Sequence, residues 1–240
     1  MADAKYRNFG HYLGEGWAAE PKQTFTSLAA HLVAERGGDP AGELLDVGCA
    51  TGELIGYLSS RFQAVRYTGA DVFDELLEQG RKNLPSVTFV KASALQLPVS
   101  FNNRFDIVTA VGVASVFDET EIETFWRGLL NATRPGGTVA VLSPLNDFGV
   151  DTMIRHRQRR DGAPLPWEAG WNIFAIETIT AIVQSLGATM RIERFRYQGR
   201  LERRPDPVRT WTLATETDPQ QLTNGLKLLV DHYFMLARKP

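Results

Sequence analysis

From about Glu43, the chain alternates short apolar runs with longer segments that have the apolar spacing of a helix. The apolar runs predict five strands at 44–47, 67–72, 87–91, 105–111 and 138–142, and the segments between them predict helices at 52–62, 74–84 and 119–132. Strands joined by helices of this length are typical of a parallel sheet covered by helices on both faces. In such sheets, ligands bind beyond the carboxyl ends of the strands.

After Ser143 the periodicity weakens. The sequence there predicts a helix at 176–186, strands at 189–197 and 232–238, and an extra strand at 210–215. The predicted fold class is α/β, with a Rossmann-like, seven-stranded, mostly parallel sheet. We divide the chain into an N-terminal helical lid segment, 1–42, and a ligand-binding domain, 43–240, with insertions near 146–172 and 198–224.

Composition narrows the class of protein further. The formal net charge of the 240 residues is −2, which argues against a global attraction to nucleic acid or to anionic membranes. Cys49 is the single cysteine, so no internal disulfide can form, and a cytoplasmic location is the simplest interpretation. No apolar run approaches the ~20 residues of a membrane span, and the first ten residues lack the apolar core of a signal peptide. Widely spaced histidines predict no metal site.

The loop after the first strand, 46–52, carries the most specific motif, Asp-Val-Gly-Cys-Ala-Thr-Gly. Gly48 permits a tight turn, while Ala50 and Gly52 let a ligand approach the backbone. The next helix begins at this loop, so its free N–H groups face the ligand. A dinucleotide loop requires a third small residue where Glu53 stands. An acid beside the turn suits a cationic ligand with an amino group and a sulfonium.

Segment 44–52 resembles motif I of the class I S-adenosylmethionine (SAM)-dependent methyltransferases. Three later segments match the same family in order and spacing: 69–77 resembles its ribose-binding motif, 105–112 its fourth strand, and 134–137 the turn before its fifth strand. The resemblance covers roughly 43–145. It implies that the chain binds SAM, transfers its methyl group and releases S-adenosylhomocysteine.

The resemblance also implies a set of cofactor-binding residues. They are Asp46, Gly48, Cys49, Ala50, Gly52, Asp71, Val72, Ser93, Ala94 and Val111. Asp71 is expected to accept both ribose hydroxyls. The family often has glycine at the position of Ala50 and an acid at the position of Ser93, so adenine recognition by Ser93 rests on a serine hydroxyl alone.

The methyl acceptor is less well defined by the sequence. The motif Asn/Asp-Pro-Pro-aromatic is absent, which argues against a nucleobase amine as acceptor. Candidate general bases are His156, in the arginine-rich segment 155–160, and His11, in the aromatic N-terminal segment; His232 is interpreted as structural. The arginine cluster, together with Arg200, Arg203 and Arg204, predicts an anionic acceptor, with a saccharide or a carrier-linked group as examples.

The predicted function is therefore methyl transfer from SAM to oxygen or nitrogen of a small, anionic acceptor. The alternatives are a non-catalytic regulatory subunit of the same fold, a methyltransferase of RNA or protein, and a nicotinamide oxidoreductase, against which the loop spacing argues. Neither nucleic acid nor a membrane is expected as a partner, and a homodimer is a further expectation.

Overall fold

The computed structural model describes residues 10–14, 17, 20–157, 159–160, 162–164, 166–198, 212–213, 221–223 and 229–240. Six helices lie within these ranges: α1 Gly10–Gly14, α2 Gln23–Arg36, α3 Glu53–Arg61, α4 Asp74–Asn83, α5 Ile122–Ala132 and α6 Ile176–Ser185. The main strands are β1 Gly42–Val47, β2 Val65–Asp71, β3 Thr88–Lys91, β4 Phe105–Val111, β5 Thr133–Asn146, β6 Thr189–Phe195 and β7 Leu229–Arg238. In the described part of the chain, no helix is long and apolar enough to cross a membrane.

The seven main strands form one sheet in the order β3-β2-β1-β4-β5-β7-β6. The first five are parallel to one another, whereas β7 runs antiparallel to both β5 and β6. Three short strands extend this sheet, at Phe174–Ala175, Thr212–Leu213 and Gln221–Thr223. The predicted α/β fold with a mostly parallel, seven-stranded sheet is thus confirmed.

Apolar side chains cover both faces of the sheet. On one face, Phe125 and Trp126 of α5 pack with Val108 of β4 and Val141 of β5. On the other face, α2 and α3 pack against β1 and β7 in a cluster that contains Leu28, Leu32, Ile55, Leu58, Leu44 and Phe234. Because both faces are buried, the strands are continuous apolar runs rather than alternating ones, and this is the pattern that the sequence shows.

Strand β5 differs from its prediction. The sequence places a turn at 134–137 and a strand at 138–142, whereas the structure has one strand from Thr133 to Asn146. Where the sequence predicts the turn, the pairing of β5 with β4 is irregular: its register shifts between Phe105 and Ile107 of β4. Gly136 has a φ of +74° and donates its N–H to the carbonyl of Lys239 at 3.0 Å. This contact with a distant segment keeps the turn within the strand.

Lys239 joins the end of β7 to the end of α5. Its Nζ donates to the carbonyls of Leu130 at 2.9 Å and Thr133 at 2.8 Å, and to Asn103 Oδ1 at 2.7 Å. These bonds satisfy carbonyls that the helix end leaves without intrahelical partners.

We expect Lys239→Ala to lower the free energy of unfolding by about 1–2 kcal/mol, because charged hydrogen bonds to buried carbonyls are lost. For a chain of this size, that corresponds to a decrease in Tm of roughly 3–6 °C in calorimetry. Arg238→Ala removes the exposed neighbouring side chain and serves as the control. Equal Tm values for the two variants would contradict the assignment.

Two antiparallel ribbons follow β5. One pairs Arg155–His156 with Glu168–Ala169, and the other pairs Arg159–Arg160 with Ala163–Pro164. Both ribbons lie within the range 146–172. Parts of other sequence-based predictions lie outside the described residues: Tyr6 and Phe9 of the lid segment, the loop 199–209 with Arg200, Arg203 and Arg204, and most of the strand at 210–215.

Candidate functional site

A cavity of about 620 Å³ opens at the carboxyl ends of β1, β2 and β4. This volume lies within the range of small-molecule sites. Nine of the predicted cofactor-binding residues line it: Asp46, Gly48, Cys49, Ala50, Asp71, Val72, Ser93, Ala94 and Val111. The structure therefore brings together residues that lie up to 65 positions apart in the chain, at the edge where parallel sheets bind ligands.

The loop after β1 keeps a shape that suits close approach by a ligand. Gly48 has a φ of +74° and Ala50 a φ of +47°. The Gly48 and Cys49 N–H groups both donate to the carbonyl of Ala70, at 2.7 and 3.1 Å. A Cβ at Gly48 would lie 2.3 Å from Cγ2 of Val113, so the position accepts only glycine without a shift of its neighbours.

Gly52 lies beside the cavity rather than in its described lining. It is the N-cap of α3, with a φ of +81°. A Cβ at this position would lie 3.0 Å from Cζ of Phe89. Gly52 thus lets the chain turn into α3 beneath Phe89.

Asp71, at the end of β2, forms a hydrogen bond to the loop after β1. One carboxylate oxygen accepts the N–H of Ala50 at 2.9 Å, and the other accepts the N–H groups of Val72 at 2.7 Å and Phe73 at 3.1 Å. The residue is only 8% exposed, and burial raises the pKa of its carboxyl group despite these bonds. Each oxygen has two lone pairs, so the three bonds leave one acceptor position, on Oδ2, for a ligand hydroxyl.

Asp46 is the second buried acid in the cavity. It is 3% exposed, and its Oδ1 accepts the hydroxyl hydrogen of Thr109 at 2.7 Å. Burial raises the pKa of Asp46 to about 7; the Thr109 hydrogen bond opposes this shift and the charge of Asp71 adds to it. Two buried acids with no described basic group bonded to them create a site that a cation would stabilise.

The far wall beyond β3 carries Ser93 and Ala94. The Ser93 hydroxyl accepts the N–H of Leu95 at 3.2 Å, and the Ser93 carbonyl accepts the N–H of Gln96 at 3.0 Å. The hydroxyl thus closes a local turn at the cavity wall and retains its own hydrogen as a donor. Its side chain is positioned for a ligand without supplying charge.

The described part of the N-terminal segment lies against the loop after β1. The indole Nε1 of Trp17 donates to Thr51 Oγ1 at 3.2 Å, and its ring packs on Gly56 of α3. Lys22 forms an ion pair with Glu53, and Tyr12 of α1 lines the cavity. These contacts place the segment beside the cavity, as the predicted lid requires.

The remaining wall is mainly apolar and includes residues that the motifs did not indicate. They are Phe25 of α2, Val113, Val116 and Phe117 after β4, Leu142 of β5, Tyr197 after β6 and His232 of β7. The apolar pattern of β5 could have indicated Leu142. The sequence carries no local signal for Tyr197 and His232, because they reach the cavity through strand pairing at the end of the chain.

Of the two predicted general bases, His156 has a side chain that the structure describes and His11 does not. His156 lies on the first ribbon after β5, with Nε2 at 3.8 Å from Oε2 of Glu168, and is absent from the described cavity lining. His11 lies in α1, and its side chain is outside the described residues. The structure therefore does not bring His156 to the cavity, because ribbon pairing directs it to Glu168.

The arginine cluster also lies elsewhere. The guanidinium groups of Arg155 and Arg157 stand over the ring of Trp167, at 5.9 and 4.8 Å from its centre. Neither arginine belongs to the described lining of the cavity.

Comparison with known proteins agrees with this geometry. Residues 44–137 match the family model described as a methyltransferase domain. A trans-aconitate 2-methyltransferase of Rhodopseudomonas palustris (strain BisA53) is 28% identical over 161 residues, which cover 63% of this chain and 58% of that protein. The corresponding enzyme of Rhizobium meliloti (strain 1021) is 30% identical over 162 residues, covering 65% and 61%. The chain thus spans about six tenths of the length of these curated relatives.

Solved structures share the fold. An amino pentose methyltransferase from Micromonospora echinaspora, solved with SAM, has a TM-score of 0.59 at 16% identity and covers 96% of this chain and 95% of its own. The 1,6-didemethyltoxoflavin-N1-methyltransferase of Burkholderia thailandensis, solved with S-adenosylhomocysteine, has a TM-score of 0.57 at 18% identity and covers 96% and 82%.

The chain shares a Rossmann-like fold with these solved methyltransferases, and its residues 44–137 match a methyltransferase domain. These matches agree with the resemblance to the class I SAM-dependent methyltransferases that the motifs carry.

Proposed function

We propose that this protein transfers a methyl group from SAM to an oxygen or nitrogen of a small acceptor and releases S-adenosylhomocysteine. The observation that carries the proposal is the cavity where the motif I loop meets two buried acids, Asp46 and Asp71. A site with buried acids suits a ligand that carries a sulfonium and an ammonium group. The names of the relatives and of the solved structures support the same reaction.

Each part of the cavity has a proposed task. Asp71 would accept a ribose hydroxyl, Ser93 and Ala94 would flank the adenine, and Asp46 would stabilise the positive end of SAM. When bound, SAM supplies an activated methyl group on a sulfonium. The chain then has to align the acceptor with that methyl group, and such alignment contributes up to about 7–11 kcal/mol to catalysis.

The charge of the acceptor is a finer prediction. The curated relatives named trans-aconitate 2-methyltransferase act, by their name, on an anionic compound. Arg157 directly follows the first ribbon strand and Arg159 lies on the second ribbon, and both would hold an anionic part of the acceptor outside the cavity. A nucleotide-linked sugar is an example of such an acceptor, because it has neutral hydroxyls at one end and anionic phosphates at the other.

Reversing charge on the ribbons tests this prediction. We expect Arg157→Glu with Arg159→Glu to raise the KM for an anionic acceptor by about tenfold, since like charges would then face each other. The Kd of SAM should stay unchanged in calorimetry. An unchanged KM would contradict the proposal that these arginines hold an anionic acceptor.

The raised pKa of Asp46 makes SAM binding depend on pH. Since the carboxyl group titrates at about pH 7 in the protein, it is mostly protonated at pH 6 and mostly ionised at pH 8. A cationic ligand favours the ionised form, so we expect SAM affinity to fall by up to about tenfold per pH unit below 7. Calorimetric titrations between pH 5.5 and 8 measure this slope.

The stability of the ligand-free protein should show the opposite trend. The folded state binds the Asp46 proton up to about pH 7, whereas the unfolded state releases it near the ordinary value of 3.8. The folded state therefore binds more protons in this window, and the contribution of this group to stability decreases as pH rises. Asp46→Asn lacks this carboxyl group, so it should lose its contribution both to the pH dependence of SAM affinity and to the pH dependence of stability. A variant that keeps the wild-type slope would contradict the assignment.

Turnover separates an enzyme from a regulatory subunit of the same fold. We would incubate the protein with SAM and acceptor mixtures and measure S-adenosylhomocysteine by mass spectrometry, with Asp71→Ala as the inactive control. Product formation that depends on acceptor supports the proposal. Tight SAM binding with no product from any mixture would favour the regulatory alternative. A homodimer and a cytoplasmic location stay predictions.

A further inference from the structure

His232 reaches the cavity through its register in the sheet. On β7, His232 pairs with Pro144, while Phe234 pairs with Leu142. Leu142 in turn pairs with Val111 at the carboxyl end of β4. His232 therefore lies at the same edge of the sheet as the motif I loop, and both Leu142 and His232 line the cavity.

The imidazole ring of His232 forms part of one wall of the cavity, where an aromatic side chain contacts it. The ring of Tyr197 meets it edge-on at a centroid distance of 5.8 Å, and Tyr197 itself meets Phe195 at 4.8 Å. The ion pair between Arg194 and Asp231 lies on the adjoining residues of β6 and β7. These contacts fix the position of the ring without using charge.

Burial lowers the pKa of His232 to about 4. The charged groups that line the cavity with it are Asp46, Asp71, Glu121 and the paired Lys22 and Glu53, and no charge contributes to the shift. The imidazole is therefore neutral near pH 7, and a neutral imidazole has one ring nitrogen that accepts a hydrogen bond.

The character of the cavity constrains the reacting end of an acceptor. Four of its described lining residues are acids, and the one lysine, Lys22, is paired with Glu53. A carboxylate would therefore meet like charge. The apolar side chains of Phe25, Val116 and Phe117 instead suit an uncharged ring.

We propose that His232 accepts the hydrogen of the acceptor's nucleophile, and that the reacting end of the acceptor is an uncharged ring that carries a hydroxyl or an N–H group. The inference rests on the proposed methyl transfer and names its acceptor class. It assigns to His232 on β7 the role for which the sequence analysis proposed His156 and His11.

The reaction balances with His232 in this role. SAM is consumed and is therefore a substrate. As the acceptor oxygen or nitrogen bonds to the methyl carbon, the carbon–sulfur bond breaks and its electron pair goes to sulfur. The alkylated atom becomes strongly acidic, so its proton passes to the neutral imidazole even though that base is weak. The proton then leaves to solvent, which returns His232 to its neutral form.

The test compares histidine variants on two kinds of acceptor. The uncharged probes are catechol, 2-naphthol and theophylline; trans-aconitate is the carboxylate probe, whose nucleophile has no hydrogen to give. We expect the wild type to form S-adenosylhomocysteine with at least one uncharged probe. With that probe, the kcat of His232→Asn should be about 100-fold lower than the kcat of the wild type. The Kd of SAM, measured by calorimetry, should differ less than twofold between the two proteins.

The control variants are His31→Gln, in which the replaced ring packs on Phe234 of β7, and His156→Ala. Both should keep the wild-type kcat. Turnover of trans-aconitate alone, turnover of no probe by a wild type that binds SAM, or equal losses in His156→Ala would overturn the proposal. A wild type that binds no SAM would instead count against the proposed function itself.

Discussion

Replacing Asp71 with alanine is expected to weaken SAM binding by about 100-fold, a loss of about 3 kcal/mol. Two effects contribute to it. The variant lacks the carboxylate proposed to accept a ribose hydroxyl, and it leaves the N–H groups of Ala50, Val72 and Phe73 without their acceptor. Because Ala50 lies in the motif I loop, the loop loses one of its hydrogen bonds to the end of β2 and keeps those from Gly48 and Cys49 to Ala70.

Calorimetry on Asp71→Ala, Asp71→Asn and Asp74→Ala separates these effects. Asparagine retains one carbonyl oxygen, so an intermediate Kd is expected. Asp74 is an exposed acid on α4 that pairs with Lys91 and is absent from the described cavity lining, so its removal should leave the Kd of SAM unchanged. A similar loss in Asp71→Ala and Asp74→Ala would indicate a nonspecific effect of negative charge and contradict the role of Asp71.

Gly48→Ala is expected to give the second large effect, a loss of about 2–4 kcal/mol of folding free energy with SAM affinity reduced more than tenfold. The backbone at φ +74° costs an alanine about 1 kcal/mol. The new Cβ would lie 2.3 Å from Cγ2 of Val113, and relieving such overlap costs about 1–3 kcal/mol more. Since both residues line the cavity, the shift occurs where SAM is proposed to bind.

Gly136→Ala is the matched control for backbone strain. Gly136 has the same φ of +74°, but nothing lies within 4 Å of a Cβ built on it. It should show the strain cost alone in thermal unfolding and bind SAM normally, since it is absent from the described cavity lining. If Gly48→Ala binds SAM as tightly as Gly136→Ala does, the close contact with Val113 does not shape the site.

Local patterns in the sequence were sufficient to predict nine residues that the structure brings to one cavity. Asp46 and Asp71 lie at the carboxyl ends of two buried strands, and strand ends of a parallel sheet meet at one edge. The apolar runs predicted β1 to β4 within a few residues, because strands buried on both faces are mainly apolar. The bounds of β5 were predicted less well, since the turn at 134–137 is held by Lys239, about 100 residues away in sequence.

The opposite wall of the cavity could not be predicted in the same way. His232 was interpreted as structural because it begins a predicted strand; its place in the cavity wall depends on the antiparallel register of β7 with β5. His156 looked like a candidate because arginines flank it, yet ribbon pairing places it beside Glu168. Contacts between distant segments decided both outcomes, and no periodicity encodes them.

Calorimetric titration of the purified protein with SAM, S-adenosylhomocysteine and NAD measures whether this cavity binds SAM. We expect micromolar binding of the first two ligands, no binding of NAD, and loss of SAM binding in Asp71→Ala. Binding of NAD, or SAM binding that Asp71→Ala leaves unchanged, would show that the cavity is not a SAM site of the proposed kind.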